Sequence, residues 1–220
     1  MTIVNSTDRK SLSRRAALGG GFAGLTMPLL GPFASAKASA EAGLVTGLNG
    51  RATATRDGQT RDLHHGAVVH RRDSLATHAG ARLEINLADG STLAMGESSR
   101  LVVSAIVDDA GRGHGVVLDL VAGIVRAVLG PSRPELFEVR GRVAVAAARS
   151  TEFFVETESR RTAVFVAAGE VAVRESYGGG EVRLQPGEGI DVVRGTDVGQ
   201  PVDWGQARID RFVERTTVDG

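Results

Sequence analysis

"ARLEINLADGSTLAM", residues 81–95, decides how the rest of this 220-residue sequence is read. Ala81, Leu83, Ile85 and Leu87 alternate with Arg82, Glu84 and Asn86, so one set lies on each face of a half-buried strand. Asp89-Gly90 follows, a dipeptide that tolerates the positive φ of a type I′ turn, and "STLAM" returns as the partner strand.

Working outward, the same texture repeats. "RLVVSAIV" (100–107), "VVLDLVAG" (116–123) and "GIVRAVL" (123–129) each read as a strand. Residues 136–157 read as two strands bent around Gly141, and 162–176 as a pair turning at Ala168-Gly169-Glu170. Residues 181–193 read as a further pair around Pro186-Gly187. Turn signals at this spacing predict an all-β sandwich, barrel or solenoid of short-stranded hairpins. A strand-then-glycine step recurs at Leu63–Gly66, Leu120–Gly123, Val166–Gly169 and Leu184–Gly187, which suits stacked β layers but also follows from turn chemistry alone. In "ARSTEFFVE" (148–156), Phe153 and Phe154 point to opposite faces, which predicts a central strand buried on both. Only "VDWGQARIDRFVERT" (202–216) suggests a helix, through Trp204, Ala207, Ile209 and Phe212.

Composition limits the chemistry. Aromatics are 4%, there are 29 glycines, and cysteine is absent, which excludes disulfides, thiolate metal sites and a cysteine nucleophile. Adjacent His64 and His65 point to opposite faces of a strand, and neither they nor His70 has a carboxylate at helical metal-binding spacing. Neither a G-x-S-x-G elbow nor a phosphate-binding glycine loop occurs. The expectation is a protein without catalytic residues, metal or cofactor.

The first 40 residues differ from the rest. A basic stretch ending in Arg14-Arg15 precedes an apolar run from Ala16 to about Leu30, and Ala38-Ser39-Ala40 supplies small residues at a cleavage spacing. With Leu18 behind the arginines, the pattern resembles a twin-arginine export signal, although Ala17 stands where that motif usually has Phe. Pro28 and Pro32 break a spanning helix, so cleavage is favoured over an uncleaved membrane anchor. Residues 1–40 hold five basic residues and one acid; without them a balanced 26 and 26 becomes 21 basic and 25 acidic, which gives no electrostatic reason to expect nucleic acid. The expected organisation is export signal 1–40, β domain 41–204 and a helical tail 205–220.

From about Gly47 to Trp204 the order of motifs resembles the FecR-domain family. Thr77, Gly80, Asp89, Gly90, Ser91 and Ser99 match the family's first hairpin run, and "LDLVAGIV" matches its step at Gly123. "VFVAAGEVAV" and "VRLQPGEGIDV" match its steps at Gly169 and Gly187. In the family's R-G-T-x-F element, Arg149, Thr151 and Phe153 are present while Ser150 replaces the glycine. The resemblance implies a β-solenoid or sandwich-like periplasmic domain that senses or binds without catalysis, with another envelope protein as partner. A membrane-anchored component of a FecR-type regulatory system and a periplasmic ligand- or carbohydrate-binding domain are the alternatives.

Overall fold

A computed structural model describes residues 41–109, 112–130 and 136–218. Its strands are β1 (Glu41–Asn49), β2 (Ala52–Arg56), β3 (Gln59–Asp62), β4 (Val68–His70), β5 (Ser74–Thr77), β6 (Arg82–Leu87), β7 (Thr92–Met95) and β8 (Arg100–Asp109). They continue with β9 (Arg112–Val128), β10 (Leu136–Arg140), β11 (Ala144–Thr157), β12 (Arg161–Glu175), β13 (Glu181–Leu184), β14 (Glu188–Val193) and β15 (Val202–Asp203). One helix, α1 (Gln206–Thr216), follows. The all-β, sandwich-like expectation and the short C-terminal helix are both observed. The export residues Arg14, Arg15, Leu18, Ala38 and Ala40 lie outside the described residues. No helix among the described residues is long and apolar enough to cross a membrane.

Three long strands organise everything else. β9, β11 and β12 each take part in two layers, pairing with different neighbours in each half of their length. One layer runs β3–β2–β5–β8–β9–β10–β11–β12–β13, and the other β4–β1–β6–β7–β9–β11–β12–β14–β15. β10 is inserted between β9 and β11 in the first layer, parallel to β9 and antiparallel to β11. In the second layer β9 and β11 pair directly, Gly123–Val128 against Thr157–Glu152.

These long strands correct three expectations. Residues 112–128 are one strand, bent at Gly123, whose φ is +91°. Residues 161–175 are also one strand, bent at Gly169 (φ +82°), and not a hairpin. A positive-φ glycine permits a local bend, but chain reversal also needs the two arms to pair with each other, and here β11 pairs with both arms of β12. Likewise β13 and β14 are not partners: both pair with β12, one on each arm. The step glycines Gly66, Gly123, Gly169 and Gly187 do share one conformation, with φ between +79° and +91°.

The first hairpin, β6–β7, is observed, but its turn is not type I′. Gly90 N–H donates to Leu87 O, closing a turn over Leu87–Gly90, and among Ala88, Asp89 and Gly90 only Gly90 has positive φ (+82°). Leu87 N–H then donates to Ser91 O. This is a type I turn followed by a left-handed glycine, which needs one left-handed residue where type I′ needs two.

Between the layers lies the main apolar core, including Leu75, Leu101, Leu118, Phe137 and Val173 from one side and Leu83, Leu93, Val125, Phe153 and Val164 from the other. Phe137 and Phe153 meet edge to face across it at 6.1 Å. Phe154 points the other way, into a second cluster with Ile124, Ala163, Phe165, Trp204 and Phe212. The expected burial of "STEFFV" on both faces is therefore observed, and α1 supplies the cover for the second face.

Candidate functional site

The residues singled out in the sequence assemble into hydrogen-bonded clasps that hold the long strands in place. Thr77 Oγ1 donates to Gly96 O (2.6 Å) and accepts from Ser99 N–H (3.0 Å). Ser99 Oγ in turn accepts from Ile124 N–H (3.0 Å), at the bend of β9. A Cβ on Gly123 would lie 2.2 Å from Ser99 Oγ, so glycine is required there for space as well as for φ. Asp89 accepts from the backbone N–H (3.0 Å) and hydroxyl (2.8 Å) of Ser91, whose oxygen receives Gly130 N–H (3.1 Å).

Thr151 closes the set. Its hydroxyl donates to Ala168 O, beside Gly169, and its carbonyl receives Leu129 N–H (3.0 Å). Ser150 lies in the stretch of β11 between Arg149 and Glu152 where register with β12 shifts. Gly187 N–H donates to Val166 O and Gly187 O accepts from Trp204 N–H, which sets the indole over Phe165. The Asp89–Ser91 turn and the Thr151 bend thus grip the end of β9 from two directions, at Gly130 and Leu129. Of the motif residues, Arg149 alone presents an exposed charged side chain with no hydrogen bond or ion pair among the described residues.

The outer faces of the two layers are unlike. α1 covers part of the second layer's outer face. Trp204 stacks on Phe165 at 5.2 Å and meets Phe212 edge-on at 5.0 Å, and the Arg208 guanidinium lies 3.5 Å from the indole centroid. Arg208 also grips Asp191, Nη1 to Oδ2 at 2.8 Å and Nη2 to Oδ1 at 2.7 Å. Arg215 reaches the nearly buried Glu156 at 2.5 Å, and Arg161 joins Glu156, Glu158 and Asp191. Burial pushes the Asp191 carboxyl up, but hydrogen bonds and charge from Arg208 and Arg161 outweigh it and hold the group below the ordinary aspartate range. The Arg161 hydrogen bond holds Glu158 down in the same way, and Arg161 itself is pushed up by Glu158.

No described element covers the outer face formed by β9–β13. Its floor is small and apolar, with Val117, Val145, Ala147 and Ala172 in adjacent rows. Two shallow cavities are cut into it. One, of about 430 Å³, is lined by Leu136, Ala147, Arg149, Glu170, Ala172 and Arg183 among others. The other, of about 500 Å³, includes Arg140, Arg142, Arg174, Ser176, Tyr177 and Arg194. Arg183 and Gln185 bond Glu170 and lower its pKa, the Gln185 hydrogen bond most. The sequence reading missed this basic face. Arg140, Arg174 and Arg183 do alternate with core residues, but only the cross-strand register brings them to one surface.

The histidines do not gather. His64 and His65 are exposed, and His70 lies near the buried Asp73, which receives Arg61 and His70 N–H (2.9 Å). Among the described residues there is no group of three or more His, Cys, Asp or Glu able to hold a metal ion.

Comparison with known proteins follows the same outline. Two crystal structures of a candidate anti-sigma factor from Parabacteroides distasonis ATCC 8503 superpose with a TM-score of 0.53, at 18% and 17% identity over 64% of this chain. The matched region spans 64% and 63% of those chains. No curated protein sequence matches. Residues 73–172, from the buried Asp73 to the alanine floor of the open face, match the family described as FecR protein, and the chain carries a FecR domain.

Proposed function

We propose that the protein is an exported, non-catalytic sensing module that works in the periplasm by contact with another envelope protein. The observation that carries this reading is the arginine-rich outer face of β9–β13, which no described element covers, most of it inside the region that matches the FecR family. The motif residues support the same division of labour: Thr77, Ser91, Ser99 and Thr151 clasp the strands, and Arg149 stands on the face. The neighbours of similar fold are named as candidate anti-sigma factors, which supports a reading of signalling by protein contact. Export rests on Arg14-Arg15, the apolar run and Ala38/Ala40.

The test has two parts. Mass spectrometry of the protein from the periplasmic fraction is expected to give an N-terminus near Glu41; an intact Met1 in the membrane fraction favours the anchored alternative. A photo-crosslinking residue at Ala147, in living cells, is expected to give a discrete protein adduct that the same probe at Asn86 does not give. Equal labelling at the two positions overturns the reading.

A further inference from the structure

We infer that the outer face of β9–β13 is a binding site for an extended, carboxylate-rich segment of a partner protein. The inference rests on the sensing-module reading above and names the chemistry of its partner. Six arginines and no lysine stand on or beside this face: Arg140, Arg142, Arg149, Arg174, Arg183 and Arg194. Guanidinium groups match carboxylates in paired, directional hydrogen bonds.

The face's own acids satisfy only part of this charge. Glu138 takes two bonds from Arg140, at 2.9 and 2.8 Å, and holds Arg174 only at 3.9 Å. Glu170 is taken by Arg183 and Gln185, and Asp119 by the Ser104 hydroxyl. Arg142 donates its Nε to Val121 O, Arg194 lies 5.5 Å over the Tyr177 ring, and Arg149 is exposed. None of these three meets a carboxylate among the described residues. In the same cavity Ser176 Oγ is shielded from solvent without a hydrogen-bond partner.

Shape selects an extended chain over a small anion. The Arg174 row and the Arg149 row are four residues apart on β11, about 14 Å at ~3.4 Å per residue, with Ala147 and Ala172 between them. One small anion reaches a single end. An extended peptide has the same ~7 Å repeat of alternate side chains as the strands beneath it, so it can place acids over both arginine rows and small side chains over the alanines.

The test is fluorescence anisotropy with a labelled octaglutamate peptide, an octaglutamine peptide of equal length, inorganic phosphate as competitor and a heparin oligosaccharide. Saturable octaglutamate binding is expected, at least tenfold tighter than octaglutamine and weakened severalfold between 50 and 200 mM salt as roughly two or more ion pairs are screened. Arg142→Gln combined with Arg194→Gln is expected to weaken it at least tenfold, with unchanged far-ultraviolet circular dichroism. Arg51→Gln, on an exposed site away from this face, is expected to leave it unchanged. No saturable octaglutamate binding, or equal binding by the double variant, overturns the proposal. So does tighter binding of heparin, or complete displacement by equimolar phosphate, each of which reassigns the face to a different anion. A crosslinked partner at Ala147 with no octaglutamate binding leaves the sensing-module reading standing and removes the acidic-segment assignment alone.

Discussion

Gly123 bears two demands at once: a φ of +91° and a missing side chain against Ser99. Gly123→Ala is therefore expected to destabilise the fold by about 3 kcal/mol, from left-handed strain together with overpacking. The check is a lower urea midpoint at unchanged slope. Thr77→Val keeps the volume but leaves Ser99 N–H without its acceptor in a buried site, and is expected to cost about 2 kcal/mol. Thr77→Ser, which retains the hydroxyl, is expected to recover most of that loss in the same titration. The positions of Thr77, Ser91 and Gly123 were legible in the sequence because each breaks an apolar pattern at a fixed place. Their roles were not, because Thr77 bonds Ser99 from 22 residues away and Ser91 bonds Gly130 from 39.

At the scale of elements, α1 is held by an aromatic cluster and by charge, and each can be removed separately. Phe212→Ala is expected to cost about 3 kcal/mol and to expose Trp204, the only tryptophan in the sequence. A red-shifted emission maximum is the readout. The carboxyls of Asp191 and Glu158 are held below their ordinary values of 3.8 and 4.5 in the folded protein. A depressed pKa stabilises the fold above the ordinary value, and that contribution is lost as pH falls through it toward the folded-state value. Tryptophan emission at moderate urea is thus expected to hold steady from pH 7 to about 5 and to shift red below about 4.5, and Asp191→Asn is expected to flatten that shift. The helix was legible from its apolar face, and the burial of Phe153 and Phe154 from strict alternation. The continuity of β9 and β12 was not. A glycine between two apolar runs reads the same whether the chain reverses or bends, and only the strands alongside decide which.

For the whole molecule, the layered plan means that many stabilising pairings join strands that are not consecutive in the chain, as when β1 pairs with β6 and β9 with β11. Such topologies close long loops before pairing rewards them, so refolding followed by Trp204 fluorescence is expected in the millisecond-to-second range, not in microseconds. The all-β class was legible because turn residues and alternation are local signals. The open basic face was not, since it exists only once five strands are in register. The three shared strands also have a mechanical consequence. A pull along the strands at the Arg149 end of the open face is carried through unbroken backbone into the second layer, where α1 and the indole sit. A connecting loop would slacken under that load, whereas β11 and β12 are clamped by neighbours along both arms. Strain applied at one surface therefore has a backbone path to the other.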